Sequence, residues 1–245
     1  MMNIRVLTGL VLAFSCCATS ACQAAILANY EFTTNPYKAA TDSDPGVVVS
    51  LMSDAVGEFD VSTSSGVAFL RGNHSENSLA DAIATPDYLQ FTLTPAAGQV
   101  VNLTSFIFDH EASNDTVDPF TSNLSIFASL TGFASTPLAA EALGTSTTTV
   151  AANIGGGTQL QVNDVTFSLA ASQFQNLTSA NTVTFRIYGF DDALDTGQIN
   201  RIDDVRVVGD VTAIPEPSSV LLAGFGIAGC LLWQRRGRAA RIARS

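Results

Sequence analysis

Acidic residues in short clusters are the part of this sequence best suited to chemistry. The clusters are DSD at residues 42–44, NDTVD at 114–118 and DDALD at 191–195; the third contains Asp191, Asp192 and Asp195. Carboxylates on loops are the ligands that Ca²⁺ prefers, although none of the three has the twelve-residue spacing of an EF-hand. A structural Ca²⁺ is therefore the cofactor that these clusters suggest. The alternative is that they form solvated turns that keep the protein soluble.

The two histidines, His74 and His110, give a weaker indication of chemistry. His110 lies between Asp109 and Glu111. Adjacent residues of a strand point to opposite faces, so these three side chains should not converge on a metal or an acid–base site. We expect a strand that ends there and continues into an acidic loop.

Candidate catalytic motifs are equally sparse. A serine hydrolase would need a G-x-S-x-G elbow, which the sequence lacks. A glycosidase needs two positioned carboxylates, and with 21 acidic residues between positions 25 and 214 that requirement selects none of them. We predict a protein that is not an enzyme. The alternative is a secreted hydrolase of polysaccharide or ester bonds.

The charge of residues 25–214 restricts the partners. Its 21 acidic residues face only five basic ones, a net charge of −16. Such a body is repelled by nucleic acid and by anionic membrane surfaces. Divalent cations and neutral polysaccharides are the compatible partners. The same residues contain no cysteine, which excludes a cysteine enzyme and a Cys-ligated zinc site.

Period-2 alternation of apolar and polar residues dominates this body and predicts antiparallel sheets with one buried face. Clear examples are Leu89, Phe91 and Leu93, and Val183, Phe185 and Ile187. About nine to eleven strands of this kind predict an all-β fold, a jelly-roll-like β-sandwich over residues 25–213. The stretch TSTTT at 145–149 is expected to be loop or hairpin material, although the Thr-rich run at 147–150 is also a strand candidate. We expect LAASQFQNL at 169–177 to form a single helical turn.

The N-terminus has the features of a secretory signal peptide over residues 1–24. Arg5 supplies the positive charge, residues 6–14 are mostly apolar, and small residues lead to cleavage after Ala24. We therefore expect an exported protein. TSAC at 19–22 offers a lipoprotein signal with an acylated Cys22 as the alternative.

The C-terminus, residues 214–245, predicts a single short transmembrane helix. The apolar residues 218–233 would span about 24 Å as a helix, against a hydrocarbon core of about 30 Å. Trp233 suits the membrane interface, and Arg235, Arg236 and Arg238 would stop the helix and hold the tail in the cytoplasm. Two prolines, Pro215 and Pro217, prevent the helix from extending upstream.

In this order, Pro215, Glu216 and Pro217, a short apolar helix and a terminal arginine cluster resemble the PEP-CTERM sorting signal of Gram-negative bacteria. The resemblance implies recognition by an exosortase, transient residence in the inner membrane, and release to the cell surface or extracellular matrix. It also implies a link to exopolysaccharide production. A permanently membrane-anchored adhesin is the alternative.

The body is similar, more loosely, to jelly-roll carbohydrate-binding modules, which end in a strand of the type Ile-Asp-Asp-Val, here residues 202–205. The resemblance implies an extracellular polysaccharide as ligand. It also implies a structural calcium held between the first and last strands by Glu31, Asp203 and Asp204. Tyr37, Tyr88 and Tyr188 are candidates for stacking on sugar rings, with ordinary packing on the sheet as the alternative.

Overall fold

The computed structural model describes residues 24–33, 39–54, 59–64, 67–72, 76–85, 88–114, 119–133, 141–151, 158–192, 198–214, 224 and 226–227. The predicted signal peptide falls outside these ranges except for residue 24. The predicted transmembrane helix and arginine tail fall outside them except for residues 224, 226 and 227. Within the described ranges, no helix has the length and apolar character needed to span a bilayer.

Thirteen strands are present in the described residues. In chain order they are β1 (Ala25–Tyr30), β2 (Asp42–Ser43), β3 (Val47–Val49), β4 (Ser53–Asp54), β5 (Phe59–Ser64), β6 (Val67–Gly72), β7 (Tyr88–Pro95), β8 (Gln99–Asn114), β9 (Phe120–Ser129), β10 (Ala142–Val150), β11 (Thr158–Ser168), β12 (Val183–Asp191) and β13 (Gln198–Ala213). A short helix, α1 (Leu79–Ala84), precedes β7, and a 3₁₀ turn (Ser172–Phe174) lies between β11 and β12.

These strands form two antiparallel sheets packed face to face. Sheet A has the order β11-β8-β13-β1-β2, and the β5–β6 hairpin also pairs with β13 through β6. Sheet B has the order β10-β9-β12-β7-β3, with β4 also paired to β7. From β7 onward the chain changes sheet at every connection except the one between β9 and β10. The predicted all-β sandwich is confirmed.

The core lies between the sheets and is built from the residues that the alternation marks as apolar. Phe91 is at its centre: its ring centroid lies 4.9 Å from that of Tyr30 and 4.9 Å from that of Phe185, and 6.2 Å from that of Phe106. All four side chains are fully buried. Burying an aromatic or large aliphatic side chain contributes about 1.5 to 3 kcal/mol. This core therefore holds the domain without disulfides.

Two stretches differ from the prediction. TSTTT lies inside strand β10. Its side chains alternate there: Ser146 and Thr148 face the other sheet, and Thr145, Thr147 and Thr149 face solvent. The prediction of a loop there was wrong, since hydroxyl side chains alternate across a strand as well as apolar ones do. Likewise, residues 109–111 lie inside β8 rather than at its end. Their side chains do alternate between faces as expected, with His110 buried and its neighbours on the outer face.

Two of the β-bulges in sheet A lie on either side of β8, one in β13 and one in β11. The register of β13 against β8 shifts between Asp203 and Arg206, and that of β11 against β8 shifts between Val162 and Val165. Each bulge contains an aspartate in the left-handed region, Asp204 at φ 49° and Asp164 at φ 54°. Aspartate tolerates this backbone better than most residues. The bulges therefore place acidic side chains on either side of Asp109.

Candidate functional site

The outer face of sheet A has an acidic patch around these bulges, formed by Asp109, Asp164, Asp203, Asp204 and Arg206. Asp109 and Asp203 are direct cross-strand partners. The patch is ordered by two backbone donors: the Asp164 N–H donates to Asp109 Oδ1 at 2.8 Å, and the Asp204 N–H donates to Asp203 Oδ1 at 2.8 Å. Each of these carboxylates therefore stabilises a bulge.

Arg206 supplies the counter-charge of the acidic patch. Its guanidinium pairs with Asp164 Oδ1 and, at 3.1 Å, with Asp204 Oδ2. Two cross-strand pairs further along, on the same face, Arg201 pairs with Glu111. The patch is therefore a mixed ion-pair network rather than a set of free carboxylates.

The pKa of Asp203 is raised to about 6, first by partial burial and then by the neighbouring carboxylates of Asp204, Asp109 and Glu111; the hydrogen bond from the Asp204 N–H acts in the opposite direction. Burial also raises the pKa of Asp204, against the lowering effect of Arg206. Like charges close together disfavour ionisation of both. Ionisation of Asp203 and Asp204 therefore lowers the stability of the folded protein near neutral pH.

The predicted metal ligands fall into two places. Glu31 follows β1 next to the β13 bulge, and its charge acts on Asp204; its Oε1 accepts from Asn29 Nδ2 at 2.9 Å. Asp191 and Asp192 lie at the end of β12 in sheet B, where Asp192 Oδ1 accepts the Thr121 N–H. The remaining predicted metal ligand, Asp195, lies outside the described residues.

The fit of these groups to calcium is limited by what already occupies their oxygens. In the described part of the chain, no three His, Cys, Asp or Glu side chains form a group that could hold a metal ion. Arg206 already lies against two of the aspartates. Calcium binding by Glu31, Asp203 and Asp204 stays a prediction.

Replacing Asp203 with asparagine should stabilise the protein at neutral pH. A carboxyl whose folded pKa exceeds its unfolded value lowers stability as pH rises from about 4 through about 6, so the penalty is present at pH 7 and absent at pH 4. Because Asp203 is only half-buried, solvent screening reduces the gain to about 1 kcal/mol. The asparagine Oδ1 still accepts the Asp204 N–H. Urea unfolding at pH 7 and pH 4, in chelator, measures the difference.

The same variant tests calcium. If Asp203 is a ligand, millimolar calcium should raise the melting temperature of the wild-type protein and leave Asp203→Asn unchanged. If calcium shifts neither protein, the predicted calcium site is wrong. A loss of stability at pH 7 in chelator would contradict the proton-linkage argument.

The outer face of sheet B is different: α1 covers part of it at Phe127 and Tyr188, and the rest carries mainly hydroxyl and amide groups. Across β10 and β9, the Thr145 and Ser125 hydroxyls lie 2.6 Å apart, and Thr147 Oγ1 donates to Asn123 Oδ1 at 2.8 Å. The row through Ser125 continues across β12 and β7 to Tyr188 and Tyr88. We call this set of outward-facing residues on β7, β9, β10 and β12 the polar face.

Arg186 is the one cation among the described residues of the polar face. Its guanidinium carbon lies 4.1 Å from the ring centroid of Tyr88 and 4.5 Å from that of Phe133. Its Nε donates to Gln90 Oε1 at 2.8 Å. Stacking and this hydrogen bond fix the guanidinium plane. Tyr88 itself is half-buried.

Tyr188, another candidate for stacking on sugar rings, is not exposed in the same way. Tyr188 is buried, because α1 packs over it through Ala82 and because Phe127 contacts its ring at 5.5 Å. Ordinary packing on the sheet is therefore its role. Tyr37 lies outside the described residues. Periodicity could not reveal the burial of Tyr188, because α1, the helix that covers it, is only six residues long. A helix this short, capped by Ser78, does not show a 3.6-residue hydrophobic period in the sequence.

His110 lies in a polar network between the two sheets. Its Nε2 is 2.7 Å from Ser122 Oγ and its Nδ1 is 2.9 Å from Ser146 Oγ. Ser122 Oγ donates its single hydrogen to Asn200 Oδ1, so it must accept from His110 Nε2–H. In the neutral imidazole Nδ1 then carries no hydrogen, so the Ser146 hydroxyl donates to it. Burial lowers the pKa of His110 to about 4.

The predicted sorting residues follow directly on the end of β13. The strand ends at Ala213, and the described backbone continues to Ile214. Pro215, Glu216 and Pro217, and further along Trp233, Arg235, Arg236 and Arg238, lie outside the described residues. Their roles rest on the sequence.

Comparisons with known proteins give one match in sequence and several in structure. Residues 213–236 match the PEP-CTERM protein-sorting motif. No curated protein matches the chain. Among solved structures, the chain is similar to a carbohydrate-binding module described for mannan recognition, at 12% identity and a TM-score of 0.36, covering 76% of this chain and 98% of that one.

Two further structures have similar values. One is the xylan-binding domain from Paenibacillus barcinonensis, at 12% identity and a TM-score of 0.32, covering 78% of this chain and 98% of that one. The other is the K3 cleaved adhesin domain of Lys-gingipain from Porphyromonas gingivalis, at 16% identity and a TM-score of 0.35, covering 75% and 99%.

The motif implies export and sorting to the cell envelope or surface by an exosortase. The chain is therefore a two-sheet β-sandwich that carries a PEP-CTERM protein-sorting motif at residues 213–236.

Proposed function

We propose that this protein is a non-enzymatic component of the extracellular polysaccharide matrix, which binds a neutral polysaccharide through the polar face of sheet B. The route is export by the N-terminal leader, transient retention in the inner membrane, and processing by the exosortase at Pro215–Pro217. The observation that carries the proposal is the sorting motif at residues 213–236, because it sends the body to the envelope or surface.

The polar face supports a polysaccharide as the ligand. Pyranose rings have apolar faces that pack on aromatic rings and hydroxyls that exchange hydrogen bonds with amides and hydroxyls. Tyr88 and Phe133 offer the first, and Gln90, Asn123 and the threonines of β10 offer the second. Each hydroxyl that bonds a neighbour still has a free lone pair to accept another bond.

Charge supports a neutral polymer over an anionic one. The body between residues 25 and 214 has a net charge of −16 and is repelled by polyanions. The described residues of the polar face carry one cation, Arg186, which is already stacked between two rings. Hydroxyl recognition needs no compensating charge. We therefore expect binding that changes little with salt.

Replacing Tyr88 with alanine should weaken polysaccharide binding by about tenfold or more, the scale on which truncation of an aromatic anchor reduces affinity. The variant removes one stacking surface and releases the Arg186 side chain. Affinity electrophoresis of the secreted protein in gels containing a neutral glucan or mannan measures the effect. A gel containing an anionic polysaccharide serves as comparison.

The matched control is Thr104→Ala, an exposed residue on the outer face of sheet A whose hydroxyl bonds only the Val208 carbonyl in the described structure. It should bind as the wild type does. Equal retardation of wild type, Tyr88→Ala and Thr104→Ala would show that the polar face does not bind polysaccharide.

A hydrolase is the second candidate, and the pairing of Asp109 with Asp203 favours it. Glycoside hydrolysis requires two positioned carboxyl groups, and a pKa of about 6 for Asp203 suits a general acid. Against it, both carboxylates hold bulge N–H groups. Release of reducing ends from a neutral polysaccharide by wild type, lost in Asp203→Asn, would establish the hydrolase in place of the binding protein.

A further inference from the structure

The junction between the β-sandwich and the sorting motif has no spacer. β13 is paired with β8 to its last residue, Ala213 opposite Gln99. The Ile214 N–H then donates to the Gly98 carbonyl at 2.8 Å. Pro215 is the next residue, so the Pro-Glu-Pro motif starts where the hydrogen-bonded sheet stops.

The turn that holds Ile214 is itself fixed. It comprises residues 96–98 between β7 and β8, with Gly98 at φ 76° and Gln99 N–H donating to the Ala96 carbonyl at 3.1 Å. The Ala96 N–H donates to the Gly46 carbonyl at 2.8 Å. We call residues 96–98 the junction turn.

The last residues of β13 are packed as well as hydrogen-bonded. Val211 lies so close to Gly46 that a Cβ placed on this glycine would come within 2.4 Å of Val211 Cγ1. The neighbouring strand β1 pairs with β13 only up to Gly209, so the junction turn and the turn at Gly46 hold the remaining residues. Residues up to 214 therefore cannot leave the sheet without breaking this end of the sandwich.

A processing enzyme binds its substrate as an extended segment, so it needs several residues free of other pairing on both sides of the bond it breaks. Residues 198–214 do not meet this condition in the folded body. The exposed residues next to the motif are small and uncharged, Ala97, Gly98 and Ala213, together with the exposed Ile214. No bulky or charged side chain of the junction turn blocks close approach.

We propose that the membrane-embedded processing enzyme meets the folded sandwich directly, with the junction turn as part of its contact surface, and breaks the chain on the C-terminal side of Pro215. The inference rests on the proposed processing at Pro215–Pro217. In the reaction, the acyl group of the new last residue passes to water or to an amine acceptor, and the C-terminal segment leaves with a free amino group.

Mass spectrometry of the mature protein from its native host tests the position of the break. We expect a C-terminus at residue 215 or later that lacks Trp233. A C-terminus within residues 198–214 would overturn the inference while leaving processing intact. A mature chain that still ends at Ser245 would instead overturn the proposed processing.

Variants of Ala97 test the contact surface. Ala97→Glu and Ala97→Lys should both be processed about tenfold more slowly, since a charged side chain must be desolvated in a closed contact. Inserting six Gly and Ser residues between Ile214 and Pro215 adds up to about 20 Å of reach and should restore the rate of both. The matched controls are Ala80→Glu and Ala80→Lys. Ala80 is an exposed residue of α1, which precedes the start of β7. Both control variants should be processed normally.

Two results would overturn the proposal. If both Ala97 variants are processed at the wild-type rate, the enzyme does not contact the junction turn. If Lys accelerates processing and Glu slows it, the junction turn faces the anionic lipid surface rather than the enzyme. Thermal melting of each variant separates these results from loss of fold.

Discussion

Lowering the pH from 7 to 4 should reduce the free energy of unfolding by about 3 kcal/mol through His110 alone. Its folded pKa is about 4, against 6.5 in the unfolded chain. The unfolded state therefore takes up the proton first, and stability is lost as pH falls from about 6.5 to about 4. The folded and unfolded pKa values of His110 therefore differ by about 2.5, which corresponds to about 3 kcal/mol. Below pH 4 both states are protonated and this loss stops.

Urea unfolding across this range measures the loss, and His110→Gln is the comparison because it removes the titrating group. The variant will be less stable at pH 7, since Ser122 and Ser146 lose a partner, but its stability should fall less between pH 7 and pH 4. Asp203 acts with the opposite sign in the same window, so the wild-type minus variant difference isolates His110. NMR titration in a His74→Gln background reports the imidazole pKa directly. A value near 6.5 would show that the ring is not buried in solution.

Replacing Phe91 with alanine should lower the free energy of unfolding by about 3 to 5 kcal/mol. The ring is fully buried and contacts Tyr30 and Phe185 at 4.9 Å between centroids. Removing it takes away apolar burial, two aromatic contacts and the support between the sheets. Because it links residues of both sheets, neither sheet can close the cavity alone.

Chemical denaturation of the purified protein gives this value, with Val48→Ala as the control. Val48 is 63% exposed on the edge strand β3 and should change stability by less than about 0.5 kcal/mol. Phe91→Leu should fall between the two. A small effect of Phe91→Ala, similar to that of Val48→Ala, would contradict the placement of this ring at the centre of the core.

The sequence is sufficient to predict the core because alternation depends only on neighbours along the chain. Leu89, Phe91 and Leu93 share the buried face, as do Val183, Phe185 and Ile187. The same reasoning fails at Tyr188, which alternation places on the solvent face. That residue is buried by α1, and the packing of a helix on a sheet is a tertiary event that no local period contains.

The acidic patch shows a second limit. The pair Asp203 and Asp204 is visible in the sequence, but its partners Asp109 and Asp164 are about 95 and 40 residues away along the chain. Only the register of β8 with β13 and β11 brings them together, and two bulges set that register. A bulge adds one residue without a change in hydrophobic pattern that a single sequence would reveal. The role of Arg206 as counter-charge was missed for the same reason.

The position of β13 has a consequence for the timing of secretion. This strand is the last of the body to leave the translocation channel, yet it lies in the interior of sheet A between β8 and β1. Until it emerges, β8 and β1 lack the partner that joins them, and sheet A cannot close. Since Ile214 is its hydrogen-bonded end, sheet A can be completed only after the chain up to Ile214 has emerged. Strand topology therefore makes β13 the last strand to join sheet A during export.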